Sequence, residues 1–91
     1  MNKERRKALK EAIDELEEAK AKIESAREIV EYCMDEEEEA YDNLPESMQE
    51  GEKGDAMQEN TTNMDEAISN MEDIVDTVQE TIDNIQEVID R

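Results

Sequence analysis

Carboxylates are the only groups in this sequence numerous enough to suggest chemistry. The chain of 91 residues has 29 Asp and Glu, 10 Lys and Arg, and no His. Its densest cluster, residues 35–39, reads DEEEE and could attract a cation. It lacks, however, the Gly-containing loop in which calcium sites place their oxygen ligands, which favours a solvated helix face.

Catalysis is a second possibility for so many carboxylates. Glycosidases use a pair of them as acid and base, but 29 carboxylates supply such pairs by chance, and only two aromatic residues could support a sugar. Without His, a Cys–His or Ser–His nucleophile cannot form. We therefore expect no catalytic residue, no metal site, no cofactor and no enzymatic activity.

The charge pattern instead indicates a protein partner. Residues 35–90 carry 20 acidic side chains and a single basic one, Lys53. Such a surface repels nucleic acid directly but could imitate its phosphates and occupy a basic groove. The predicted contacts lie off the apolar stripes: Glu36, Glu38, Asp65, Glu72, Asp73, Asp76, Glu80 and Asp83. The alternative is that the acidity serves solubility.

A helical fold follows from the composition, because two Gly and one Pro leave little material for turns. One apolar series of the first half recurs every seven residues, with a single break at Glu37: Leu9, Leu16, Ile23, Val30 and Leu44. A second follows three residues on: Ala12, Ala19, Ala26, Cys33 and Ala40. The second half repeats the pattern: Met57, Met64, Met71, Val78 and Ile85, then Ala67, Ile74, Thr81 and Val88. A third column widens each stripe: Ile13, Met34 and Tyr41, then Ile68, Val75, Ile82 and Ile89. This spacing is that of a coiled coil.

The break between the two halves predicts a hairpin. Pro45 disfavours helical geometry at Leu44. Gly51 or Asp55 could cap the second helix, with Gln58 as the capping-box partner of Asp55. We expect one domain, residues 1–91, with helices at 3–43 and 52–90 and a turn at 44–51. The connection is short, so the helices should be antiparallel. Two broad apolar stripes exceed what one neighbour can cover, which favours a homodimeric four-helix bundle; the alternative is a monomeric hairpin.

Two smaller features have competing interpretations. Cys33 lies on the Ala series and is predicted to be buried and inert, the alternative being a disulfide across the dimer. A lone Cys fits a reducing compartment. The basic cluster Lys3, Arg5, Arg6, Lys7 and Lys10 either pairs with carboxylates such as Glu87 and Asp90 or contacts an anionic surface. No apolar run is long enough to span a membrane, and we expect a cytoplasmic protein.

Residues 40–49 read AYDNLPESMQ and are followed by Glu52, Lys53, Gly54 and Met57. This stretch resembles a pattern, A-[FY]-x-N-L-P-E-S-L-Q, of short helical phage and mobile-element proteins. The resemblance extends over residues 23–90; Met48 replaces the usual Leu, and Gly51 stands where Ser would cap. It implies a phage setting within a bacterial host, in which small acidic proteins disarm restriction or CRISPR systems.

These observations together predict a non-enzymatic inhibitor that binds a basic host protein, such as a defence nuclease, by DNA mimicry. The alternative is a structural or adaptor bundle for virion assembly or scaffolding. A DNA mimic should release its partner as salt rises, whereas an apolar coiled-coil contact should persist.

Overall fold

The computed structural model describes all residues 1–91 and consists of helices without strands. Helix α1 spans Lys3–Asp42, the single turn α2 spans Glu46–Gln49, and α3 spans Glu52–Asp90. Helices α1 and α3 pack along their length as an extended hairpin of 69 × 15 × 14 Å. The predicted all-α hairpin is therefore confirmed, with α1 ending one residue before the expected boundary and α2 lying within the expected turn.

The ends of the helices follow local chemistry. At the start of α1, the Asn2 side chain accepts a hydrogen bond of 2.8 Å from the backbone N–H of Arg5. Gly51 caps α3 without a side-chain hydrogen bond, so Asp55 lies inside the helix and does not cap it. Gln58, expected to complete a capping box with Asp55, instead donates to the Tyr41 hydroxyl at 3.0 Å.

Three side-chain hydrogen bonds between α1 and α3 mark their register. Lys20 Nζ donates to Gln79 Oε1 at 2.8 Å, and Asn60 Nδ2 donates to Glu37 Oε2 at 3.0 Å. The third is the Gln58–Tyr41 bond. The residue numbers of each pair add to 97 or 99, as antiparallel helices in constant register require.

The packing seam differs from the prediction in its second column. Helix α3 buries Ile68, Ile82 and Ile89, whereas Ile74 of the predicted column is 46% exposed. On α1, the half-buried second column is Arg6, Ile13, Lys20, Arg27, Met34 and Tyr41. The residues predicted to widen the stripes therefore form the seam together with the Leu9 and Met57 series. Burying Ile removes more apolar area from water than burying Ala, and this favours the observed rotation of α3.

The Ala series consequently lies at the edge of the hairpin. Ala26, Cys33 and Ala40 are exposed, and Ala12 and Ala19 are half-buried. The prediction that Cys33 is buried is wrong: its thiol is free and exposed. No disulfide forms within this single-Cys chain.

A close approach at the turn requires Gly54. A Cβ at this position would overlap the carbonyl oxygen of Gln49 and lie 2.5 Å from its carbonyl carbon. Both are backbone atoms and cannot rotate away. Gly54 lies in the first turn of α3 and is buried, so α2 packs directly on the α3 backbone there.

Gly54→Ala should lower the free energy of unfolding by about 1–3 kcal/mol, because the clash outweighs the better helix propensity of Ala. Thermal unfolding followed by circular dichroism measures the change. Gly51→Ser is the matched control: a Cβ there meets backbone oxygens at 3.7 Å, and Ser caps helices at least as well as Gly. A Gly54→Ala protein as stable as the wild type would contradict the close packing.

Candidate functional site

The acidic residues of α3 form one continuous surface. After Lys53, this helix has eleven Asp and Glu and no basic residue before Arg91. We call these carboxylates the acidic arc: Asp55, Glu59, Asp65, Glu66, Glu72, Asp73, Asp76, Glu80, Asp83, Glu87 and Asp90. All are exposed. They fall in three neighbouring heptad columns that cover an arc of about 100°, from the flank of α3 beside α1 to its outer side.

The structure brings most of the eight predicted contact residues together. Six of them belong to the acidic arc: Asp65, Glu72, Asp73, Asp76, Glu80 and Asp83. Glu38 lines a shallow groove with Gln58 and Thr62 on the same side of the hairpin as Asp65 and Glu72. Glu36 lies on the opposite side, in a groove with Cys33 and Met64. Residues 36 and 38 are about 200° apart around α1, so a flat partner cannot contact both.

Very little of this negative charge is neutralised within the chain. The structure contains one ion pair, Arg27 Nε to Glu31 Oε1 at 3.5 Å, within α1. Three basic residues, Arg6, Lys20 and Arg27, point along the packing seam and are half-buried. Since Lys20 bonds the neutral amide of Gln79, which in turn donates to Asp83 at 3.0 Å, its charge is directed inward. The arc therefore presents its carboxylates to solvent unpaired.

The basic cluster at the N-terminus is also unpaired. Lys3, Arg6, Lys7 and Lys10 line a shallow groove at the open end of the hairpin. The predicted pairing with Glu87 and Asp90 is wrong, because no ion pair joins α1 to α3. The two ends of the rod differ strongly as a result: residues 1–10 carry a net charge of +4, and residues 35–59 around the turn carry −10.

One local electrostatic effect is resolved at the edge of the hairpin. Tyr32 is 65% exposed and lies one helical turn before Glu36 on α1. Hydrogen bonding to the Glu36 carboxylate and the negative charge of Glu36 raise the pKa of Tyr32 above its usual value, because ionisation of the phenol would remove the donor and place two anions side by side. This effect involves one of the eight predicted contacts, Glu36.

The run at residues 35–39 wraps around the helix and does not converge on a point. Glu37 turns inward and accepts from Asn60, while the other four side chains are exposed. No group of three or more Asp, Glu or Cys side chains is arranged to hold a metal ion. No helix combines the length and apolar character that crossing a bilayer requires.

What the arrangement can do chemically is bind positive charge over a long, straight surface. The acidic arc is about 53 Å long, at 1.5 Å per residue from Asp55 to Asp90. It offers carboxylate oxygens only, with none of the pocket chemistry that orients a small substrate. Comparison with known proteins finds no matching family model, no similar curated protein and no matching solved structure.

Proposed function

We propose that this protein is a non-enzymatic inhibitor of phage or mobile-element origin. It binds the basic nucleic-acid-binding surface of a host defence protein, such as a nuclease, by imitating the phosphates of DNA. The observation that carries the proposal is the acidic arc: eleven exposed carboxylates on one side of a straight helix, with no cation among them. The phage setting rests on the resemblance of residues 40–49.

The charge density suits this role. A net charge of −19 along a rod 69 Å long is one negative charge per about 3.6 Å. One strand of DNA carries one charge per 3.4 Å along the helix axis, and the duplex one per about 1.7 Å. A homodimer with its hairpins side by side would carry one per about 1.8 Å, close to the duplex. We therefore propose that the inhibitor acts as a homodimer.

The same charge argues against direct contact with nucleic acid, since phosphates are repelled over most of the surface. The proposed partner is accordingly a protein, and the proposed site of action is the cytoplasm of the bacterial host. Like-charged neighbours at i, i+4 destabilise a helix by a few tenths of a kcal/mol each. A surface so rich in like-charged pairs lowers the stability of the helix. Binding to a cationic groove would offset this loss.

A structural or adaptor role is the second candidate, favoured by apolar side chains left on the outside. Ile29 is 63% exposed and Ile74 is 46% exposed. Larger bundles cover such residues with further helices. In this case the partner would be held by apolar contacts that rising salt does not weaken.

A pull-down with two matched variants tests the proposal. The bait is the tagged protein, the source is a lysate of a host rich in defence systems, and elution is by salt steps. The arc variant neutralises the six predicted contacts in α3: Asp65→Asn, Glu72→Gln, Asp73→Asn, Asp76→Asn, Glu80→Gln and Asp83→Asn. The control neutralises six exposed carboxylates of α1: Glu11→Gln, Asp14→Asn, Glu15→Gln, Glu17→Gln, Glu18→Gln and Glu28→Gln.

Both variants have the same net charge, so they separate a specific surface from general acidity. We expect the wild type and the α1 control to capture a basic nuclease or DNA-binding protein that elutes at moderate salt, and the arc variant to lose it. If both variants lost the captured protein equally, nonspecific attraction to negative charge would explain the binding, and the proposed surface would be contradicted. Capture of virion components that resist salt would support the adaptor role instead.

A further inference from the structure

A second surface of α3 lacks charged side chains as consistently as the acidic arc carries them. Two heptad columns beside the packing seam hold no Asp, Glu, Lys or Arg over residues 60–88. One, the outer column, is Asn60, Ala67, Ile74, Thr81 and Val88. The other, the amide column, is Asn63, Asn70, Thr77 and Asn84. At the 43% charged content of this chain, nine positions would hold about four charges.

Solvent exposure does not explain this absence. Asn63, Asn70, Ile74, Thr77 and Thr81 are exposed in the hairpin. Elsewhere on α3, exposed positions are mostly carboxylates. Charge is therefore missing from a surface that α1 leaves uncovered, which is the composition of the centre of an interface, where charged residues are depleted.

Two contacts show which side of α1 lies beside the outer column. Asn60 donates to Glu37, and Met64 shares a groove with Cys33 and Ala40 that Glu36 and Glu37 also line. The other side of the hairpin is marked by the Lys20–Gln79 bond and by the groove of Glu38 and Gln58. The alanine column (Ala12, Ala19, Ala26, Cys33 and Ala40) thus lies beside the outer column. With the two columns of α3 it forms the uncharged face.

We infer that the uncharged face is the site at which a second copy of this chain docks, with the turns of the two hairpins at opposite ends. The hairpin alone buries only three apolar side chains, Ile68, Ile82 and Ile89, which is little core for 91 residues. A face about 42 Å long and 15 Å wide covers roughly 600 Å² per copy. Doubled, this reaches the approximately 1,200 Å² at which stable interfaces begin.

The charge distribution selects the orientation. The turn end of each hairpin, residues 35–59, has a net charge of −10, and residues 1–10 have +4. Turns at the same end would bring the two −10 segments together. Turns at opposite ends place each beside the basic N-terminal segment of the other copy, which also gives the unpaired cluster around Lys7 an acidic neighbour.

The register of the hairpin supplies a common centre for this arrangement. Ala26 and Ile74 lie at the same level, because their numbers add to 100 in a hairpin whose bonded pairs add to 97 or 99. A two-fold axis at this level brings α1 against α1 at Ala26 and α3 against α3 at Ile74. It also matches amide-column partners, with Asn63 opposite Asn84 and Asn70 opposite Thr77 of the second copy. Side-chain amides and hydroxyls so placed can hydrogen-bond across the interface.

Disulfide trapping tests the orientation, and sedimentation equilibrium tests the association. In a Cys33→Ser background, Ala26→Cys and Ile74→Cys each place a thiol beside the axis, and we expect oxidation to give covalent dimers of both. With the turns at the same end, each thiol would lie opposite the other helix and neither variant would cross-link. Asp76→Cys, on the acidic arc, is the matched control and should remain monomeric in the oxidised gel.

Ile74→Lys should raise the dimer dissociation constant at least about 100-fold while leaving the helical spectrum intact, since Ile74 does not support the hairpin seam. A wild-type protein that sediments as a monomer at 50 μM would overturn the inference. So would a dimer that cross-links at position 76 but at neither 26 nor 74. The acidic arc lies outside this interface, so a monomer would overturn the proposed homodimer, whereas the pull-down tests separately whether the arc binds a basic protein.

Discussion

Ile82→Ala will lower the free energy of unfolding by about 2–4 kcal/mol, the usual cost of truncating a buried Ile. Ile82 is the least exposed apolar side chain of the protein, at 5%. The structure has only two other buried apolar side chains, so little of the surrounding core can close the resulting cavity. Small domains are stable by only a few kcal/mol, and such a loss would unfold a large fraction of the molecules.

Urea unfolding followed at 222 nm measures this loss. Ile29→Ala is the matched control, because Ile29 is 63% exposed and Ala is the better helix former. We expect its free energy of unfolding to remain within about 0.5 kcal/mol of the wild type. Equal stability of the two variants would contradict the packing seam seen in the structure. It would favour the predicted seam, in which the columns of Ala12 and Ala67 are buried.

The sequence alone does not show which column of α3, that of Ala67 or that of Ile68, packs against α1. The seven-residue repeat predicts two helices, and Pro45 with Gly51 predicts the break between them. In each helix, however, the central column (the Leu9 or the Met57 series) has a column with apolar residues on either side, and it could form the seam with either neighbour. The comparison that decides is buried area: the column of Ile68 and Ile82 removes more apolar surface from water than that of Ala67 and Ile74.

The turn depends on contacts of a different kind. Gly54 is an unusual residue near a helix start, but its role depends on where α2 lies, since the constraint is the Gln49 backbone, which occupies the space that a Cβ would need. Contacts of this type cannot be obtained from local propensity. The same holds for the Gln58–Tyr41 bond, which forms in place of the expected helix cap.

The candidate site was more accessible to sequence reasoning than the seam. The acidic arc follows from the spacing of carboxylates alone, because helical geometry places positions such as 72, 76 and 83 on one side. What the charges did not predict is the inward direction of Lys20 and Arg27. Both residues lie in the half-buried column because of the rotation of α1. Since their positive charges are directed inward, the outer surface is more negative than the composition implies. The uncharged face could have been found by asking where charge is missing.

The second large effect concerns binding and its dependence on salt. We expect the affinity for the captured basic protein to fall at least about 100-fold between 50 and 500 mM NaCl, because exposed charges at the arc are screened within about 10 Å at 0.1 M salt. Fluorescence anisotropy with labelled protein provides the titrations. The arc variant should bind weakly at every salt concentration and show a much smaller slope. A wild-type affinity that is independent of salt would favour the adaptor role.

The measurement that tests DNA mimicry most directly is competition for the purified partner between this protein and a labelled DNA duplex. Mimicry predicts that the wild type displaces the duplex, raising its apparent dissociation constant in proportion to inhibitor concentration, and that the arc variant does not. A ternary complex in which the partner binds the duplex with unchanged affinity would contradict the proposal.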